Sequence, residues 1–107
     1  MRQVVFRRYP DGSIIALFPF EPSEPTGKFC LCYEHMGQHG SADYEGVLLD
    51  TEAVRPNDVS ALVEELDHIG YKYFKAHYDP IDAQKAQTVR EEILKAAYEN
   101  VKRSPHD

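Results

Sequence analysis

The fold of this chain is decided by residues 3–19, which read Gln-Val-Val-Phe-Arg-Arg-Tyr-Pro-Asp-Gly-Ser-Ile-Ile-Ala-Leu-Phe-Pro. Two largely apolar runs flank Pro-Asp-Gly at 10–12, where proline pre-sets the first turn angle and glycine accepts a positive φ. This pattern predicts a β-hairpin with a three-residue loop. The resulting register places Phe6 opposite Ala16.

The second strand of this hairpin is apolar on both faces, because side chains alternate between the faces of a strand. One face of the hairpin carries Val4, Phe6, Ile14, Ala16 and Phe18, and the other carries Val5, Ile15 and Leu17 beside Arg7. Such a strand is usually covered on both sides. We expect helices on one face, and a further element or a second copy of the chain on the other.

Four further segments are typical of loops or strands. Residues 19–27 contain three prolines and a glycine and predict an exposed loop. Residues 28–35 alternate in the manner of a third strand. A short strand is expected at residues 47–49, and another, rich in aromatic side chains, at residues 71–78.

Two helices are predicted in the second half of the chain. The first covers residues 56–69, where Pro56 suits the first turn and Gly70 provides a left-handed stop. The second is capped by Asp79 and has Pro80 at its first position. The apolar stripes, at spacings of three and four, are Val59, Leu62, Val63, Leu66 and Ile69 in the first helix and Ala86, Val89, Ile93, Ala97 and Val101 in the second. We expect the first stripe to be mostly buried.

The order of the elements, strands first and then helix, strand and helix, predicts an α+β fold. We expect an antiparallel sheet of three to four strands with two helices packed on one face. A chain of 107 residues is long enough for one core and too short for two ordinary ones. Residues 1–107 are therefore predicted to form a single domain, with residues 103–107 frayed.

Composition and charge exclude several classes of protein. With 42% hydrophobic and 28% charged residues, the chain has the profile of a soluble globular domain. No stretch approaches the roughly 18 apolar residues of a membrane helix, and the polar, basic start has no signal-peptide core, which predicts a cytoplasmic protein. The formal net charge is -6, and neither half of the chain is basic, so nucleic acid is not an expected partner.

Cys30, Cys32, His35 and His39 form a cluster of the donors that zinc prefers. Usual zinc sites leave about two to four residues between the cysteines, because a turn must bring both to one metal. Cysteines two positions apart on a regular strand lie roughly 6.5–7 Å apart, so a zinc site requires the strand to bend. Two buried thiols in a reducing compartment are the simpler interpretation, and zinc is the alternative.

The same segment contains the groups of a nucleophilic site. His35 or His39 can act as a general base with Asp43 orienting its ring, and Cys30 or Cys32 can act as the nucleophile. No nucleophile elbow, Walker loop or dinucleotide fingerprint accompanies these residues.

A binding site in this segment is a further hypothesis. Its polar residues are His35, Gln38, His39 and Asp43, which would converge on a concave site with Tyr33 and Tyr44 as walls. The simpler interpretation is a tight turn in which Gly37 and Gly40 adopt positive φ. Each histidine then contacts nearby backbone or solvent. The residues alone favour this turn.

Three sequence patterns between Phe6 and Tyr71 together indicate a resemblance to other proteins. They are Phe6-Arg7 followed by Gly12-x-Ile14-Ile15-Ala16-Leu17-Phe18-Pro19, Tyr33-x-His35-x-Gly37-Gln38-His39-Gly40-x-Ala42, and Leu66-x-x-Ile69-Gly70-Tyr71. In these patterns the chain resembles a small family of uncharacterised bacterial and phage or plasmid proteins. The resemblance implies no activity, catalytic residue or cofactor, and suggests only that the His-Gly segment is a family feature.

These observations predict a small soluble protein that is not an enzyme and needs no cofactor. It is expected to act through protein–protein contacts, either with a second copy of itself as a homodimer or with another protein. The alternative is a small metal- or thiol-dependent enzyme that uses Cys30, Cys32, His35 and His39, with zinc as the metal. Neither hypothesis involves a membrane.

Overall fold

The computed structural model describes residues 1–34 and 38–102, and only the backbone of Gln38 and Lys102. The strands are β1 (Arg2–Arg8), β2 (Ile14–Pro22), β3 (Cys30–Glu34), β4 (Gln38–Ala42), β5 (Glu52–Ala53) and β6 (Phe74–His77). The helices are α1 (Tyr44–Asp50), α2 (Ser60–His68), which follows a 3₁₀ turn over Pro56–Val59, and α3 (Ala83–Lys102). The predictions for Gly37 and for residues 103–107 lie outside the described residues.

The six strands form one sheet. Strands β4, β3, β2 and β1 are antiparallel neighbours in that order, and both β5 and β6 pair with the other edge of β1. Strand β6 runs parallel to β1, so the sheet is mixed. The α+β class is confirmed, but the expected antiparallel sheet of three to four strands with two helices is wrong in detail. The described part of the chain contains six strands and three α-helices.

The opening hairpin has the predicted register, with Phe6 opposite Ala16. Its loop also has the predicted chemistry, since Gly12 adopts a φ of 91°. Both features depend only on residues within the hairpin, which explains why local reasoning is sufficient for them.

Each face of the sheet has its own core. The first core contains Val4, Phe6, Ala16, Phe18, Tyr33, Val54, Val59, Leu62 and Leu66, and α2 covers it. The second core contains Val5, Ile15, Leu17, Cys30, Cys32, Ala42, Tyr44 and Ala86, and α1 and α3 cover it. The expectation of helices on one face is therefore wrong. Because the chain's own helices cover both faces of β2, this strand needs no second copy to be buried.

Helix α1 replaces the strand predicted at residues 47–49. The carboxylate of Asp43 caps its N-terminus and accepts a hydrogen bond from the Gly46 amide at 3.3 Å. Just beyond the C-terminus, the guanidinium of Arg7 on β1 donates to the carbonyl oxygen of Thr51 at 2.7 Å. Polar groups therefore fix the helix at both ends, and one of them comes from a distant part of the chain.

Strand β4 takes the place of the tight turn expected around Gly40. Gly40 pairs with Cys32 and has no positive φ, so the predicted turn conformation at Gly40 is wrong. A Cβ atom at this position would lie 3.4 Å from the Sγ atom of Cys32. The glycine thus leaves room for a buried sulfur atom on the neighbouring strand.

The first predicted helix is largely confirmed. Pro56 opens the 3₁₀ turn that leads into α2, and Gly70 follows the helix with a φ of 108°. Leu66 is fully buried, but Ile69 is 46% exposed, contrary to expectation. The helix ends at His68, so Ile69 no longer follows its apolar face.

Helix α3 begins later than predicted. Asp82 rather than Asp79 caps it and accepts a hydrogen bond from the Lys85 amide at 2.8 Å. Ala86 is buried, whereas Ile93 and Val101 from the same predicted stripe are 45% and 74% exposed. The helix therefore packs on the sheet mainly through its first half. Within the described ranges, no helix combines the length and apolarity needed to cross a bilayer.

Candidate functional site

Both cysteines lie in the second core and are free. Burial raises the pKa of the Cys30 thiol to about 12, although the guanidinium of Arg90 opposes this shift. Burial also raises the pKa of the Cys32 thiol. Because the thiolate is both the nucleophile and the metal ligand, neither sulfur atom is activated at neutral pH.

His39 lies on the opposite face of the sheet from these thiols. The register of β3 and β4 places it beside Tyr33, and the two rings meet edge to face with centroids 4.8 Å apart. Tyr33 belongs to the first core, whereas Cys30 and Cys32 belong to the second. The backbone of the sheet therefore separates His39 from both sulfur atoms.

The zinc hypothesis requires Cys30, Cys32, His35 and His39 to meet at one point. His35 lies outside the described residues, and the other three are divided between two faces of the sheet. Among the residues that the structure describes, no three His, Cys, Asp or Glu side chains are grouped to hold a metal ion.

His39 instead belongs to an aromatic cluster, which we define as Phe18, Tyr33, His39 and Tyr71. The Nε2 atom of His39 lies 2.8 Å from the hydroxyl oxygen of Tyr71. The Tyr71 ring stacks on Phe18 at a centroid distance of 4.9 Å, and the guanidinium of Arg2 lies 4.8 Å from its centre. Burial raises the pKa of Tyr71. No local sequence pattern links His39 to a tyrosine in another element.

The other predicted binding residues have separate positions. Asp43 caps α1, and Gln38 contributes its backbone to β4. Of the two expected walls, Tyr33 contacts His39, and its hydroxyl donates to the carboxylate of Glu65. Tyr44 lies in the second core, where its hydroxyl donates to the carbonyl oxygen of Ile81 at 2.8 Å. Asp43 and Tyr44 thus take part in helix capping and core packing.

The far end of α3 is a second candidate surface. The buried guanidinium of Arg90 anchors the helix by donating to the carbonyl oxygens of Pro19 and Gly27 at 2.6 and 2.9 Å. Beyond this anchor, every side chain from Lys95 to Val101 is exposed. We call the apolar surface formed by Ile93, Ala97, Tyr98 and Val101 the α3 stripe. In the sequence, the spacing of apolar residues predicts this apolar face of α3, but not whether another part of the protein packs against it.

Comparison of the chain with models of protein families, with curated proteins and with solved structures finds no match. The resemblance carried by the three patterns between Phe6 and Tyr71 therefore stays an expectation, and the side chains themselves are the basis for inferring function.

Proposed function

We propose that this protein is not an enzyme and acts through protein contacts, with the α3 stripe pairing with the same stripe of a second copy. The observation that carries the proposal is the exposure of three large apolar side chains on one helix end. Ile93, Tyr98 and Val101 are 45%, 68% and 74% exposed. The two free cysteines support a reducing compartment, the cytoplasm, as the place where it acts.

The stripe continues the face by which α3 packs on the protein. Ala86 and Arg90 are buried, and Leu94 is half-buried. Ala97 and Val101 follow on the same face at helical spacing, but both are exposed. In proteins most helical stability comes from tertiary contacts of an apolar face. A partner that covers the stripe would supply those contacts.

The composition of the stripe favours a second copy in antiparallel orientation. If Ala97 lies on the two-fold axis, Ile93 of each helix meets Val101 of the other, and the small side chain at the centre allows close approach. The antiparallel orientation also separates the acidic pair Glu91 and Glu92 from its copy, whereas a parallel pair would place these like charges together. The contact is isologous and closes at two subunits.

Analytical ultracentrifugation tests the proposal. The wild-type chain should sediment as a dimer at micromolar concentration, and the double variant Ile93→Glu, Val101→Glu as a monomer. The matched control is Leu49→Glu, because Leu49 is also apolar and 81% exposed but lies on α1; this variant should remain dimeric. A monomeric wild type, or a dimer that persists in the double variant, would overturn the proposed pairing.

The alternative proposal is a metal- or thiol-dependent enzyme that uses Cys30, Cys32, His35 and His39. It has less support, because both thiols are buried with raised pKa values and face away from His39. Elemental analysis of protein purified without chelator tests the metal-dependent form of this alternative. Stoichiometric zinc that is lost in Cys32→Ala would favour the enzyme.

A further inference from the structure

We propose that the cleft between β6 and α3 binds a small carboxylate with an apolar tail. The cleft has a volume of about 600 Å³, compared with about 410 Å³ for the cavity beside Tyr71, and falls within the size range of ligand pockets. Its lining includes Phe20, Lys75, His77, Ile81, Lys85 and Val89. These residues are separate from the α3 stripe and from the aromatic cluster.

Strand and helix geometry direct two lysines toward this cleft. Phe74 and Ala76 of β6 pack against the first core, so alternation turns Lys75 and His77 to the other face of the sheet, where α3 lies. Lys85 lies one turn from Val89 on α3, and both line the opposite wall. One ammonium group therefore comes from the strand and one from the helix.

The two lysines of this cleft have no direct ion-pair partner among the described residues, and the nearby carboxylate of Asp82 binds the backbone amide of Lys85. No carboxylate is among the cleft-lining residues, and neither Lys75 nor Lys85 forms an ion pair within the described part of the chain. Arg2 and Lys72, in contrast, each contact a carboxylate. Burial and the charge of Lys75 also lower the pKa of His77. Two lysines without an ion-pair partner favour an anionic ligand in this cleft, although the net charge of -6 on the whole chain opposes its approach.

The apolar part of the lining indicates an organic rather than an inorganic anion. Phe20, Ile81 and Val89 provide an apolar wall beside the ammonium groups. The Nε2 atom of His77 lies 2.5 Å from Oε1 of Gln3, which holds the imidazole in place. A ligand with a charged head and a hydrocarbon tail uses both parts of the lining, because burial of the tail adds free energy that a bare anion cannot gain.

Isothermal titration calorimetry with octanoate tests this site. Octanoate should bind saturably, whereas octylammonium, with the same tail length and the opposite charge, should not bind. The double variant Lys75→Met, Lys85→Met removes both ammonium groups and keeps apolar stems, so it should bind octanoate roughly tenfold more weakly or worse. The matched control is Lys95→Met, an exposed substitution on the same helix, which should bind like the wild type.

Three outcomes would overturn the proposal: no octanoate binding by the wild type, equal binding of octylammonium, or unchanged affinity in the double variant. All three substituted lysines are exposed, and thermal unfolding checks that each variant is folded. Sedimentation of the same samples reports on the α3 stripe independently, so failure of the dimer and failure of the cleft are distinguishable.

Discussion

The Nε2 atom of His39 and the hydroxyl oxygen of Tyr71 lie 2.8 Å apart, and this hydrogen bond joins the edge strand β4 to the segment between α2 and β6. On the strand side, His39 also contacts Tyr33, and Tyr71 stacks on Phe18 of β2. The bond thus connects the edge of the sheet to the first core through side chains. The structural role of His39 is therefore to hold β4 against the segment that contains Tyr71.

Removal of the Tyr71 hydroxyl tests that role. Tyr71→Phe keeps the stacking on Phe18 but removes the partner of His39, so the free energy of unfolding should fall by about 0.5–1.5 kcal/mol. Urea denaturation measures the change. Tyr73→Phe is the control, because the Tyr73 side chain is exposed. Equal losses in the two variants would contradict the structural role.

Leu66 and Ile69 should respond differently to truncation. Leu66→Ala removes a fully buried side chain from the first core and should cost about 2–5 kcal/mol. Ile69→Ala should cost much less, because its side chain is partly exposed beyond the end of α2. Chemical denaturation of both variants measures the difference, and similar costs would contradict the different burial of the two side chains.

Arg90 should hold the loop after β2 against α3. Arg90→Met leaves the carbonyl oxygens of Pro19 and Gly27 without this buried donor and should cost about 1–3 kcal/mol. Hydrogen exchange should also become faster in residues 23–29. Lys95→Met on the same helix is the control and should change neither quantity, and unchanged exchange in Arg90→Met would refute the anchoring role.

The thiol of Cys30 should make the fold sensitive to alkali. Its pKa is raised from 9.0 to about 12, so between these values the folded chain binds more protons than the unfolded chain. The free energy of unfolding should therefore fall as pH rises above 9. Urea titrations at neutral and alkaline pH measure this slope, which Cys30→Ala should reduce but not abolish, because burial also raises the pKa of Tyr44. An identical slope in wild type and variant would contradict the assignment.

Substitutions of Asp43 test whether its carboxylate caps α1 or orients a histidine ring. Asn retains a side-chain acceptor for the Gly46 amide, whereas Ala does not. Asp43→Ala should therefore cost about 0.5–2 kcal/mol and Asp43→Asn much less. Equal losses would indicate that the charge, rather than the capping hydrogen bond, is what matters.

The parts of the fold that the sequence predicts correctly are determined by interactions between residues that are close together in the chain. The turn at residues 10–12 sets the hairpin register, and Pro56 and Gly70 mark the limits of the first helical segment. Where the prediction was wrong, as at α1, contacts from distant parts of the chain contribute to the structure. The Arg7 guanidinium on β1 binds the carbonyl oxygen that follows α1, and no property of residues 44–50 alone reveals it.

The candidate sites also divide into features set by nearby residues, which the sequence predicts, and features set by distant contacts, which it does not. The spacing of apolar residues predicts an apolar face on α3. It does not predict which part of that face the sheet covers. Alternation correctly placed Cys30 and Cys32 together on one face of β3. The position of His39 on the other face depends on the register of β4, which the sequence of residues 37–43, with glycines at 37 and 40, does not specify.

The position of β1 in the sheet has a consequence for the chain as it leaves the ribosome. β1 is synthesised before β6, and Arg2 at its start pairs with Phe74, which is translated much later. Until then a nascent hairpin presents an open backbone edge next to Val4 and Phe6, the type of surface on which other chains add strands. Translation therefore passes through a stage in which this edge of β1 is unpaired; β5 then covers Arg7 and Arg8, and the rest of the edge stays open until β6 is made.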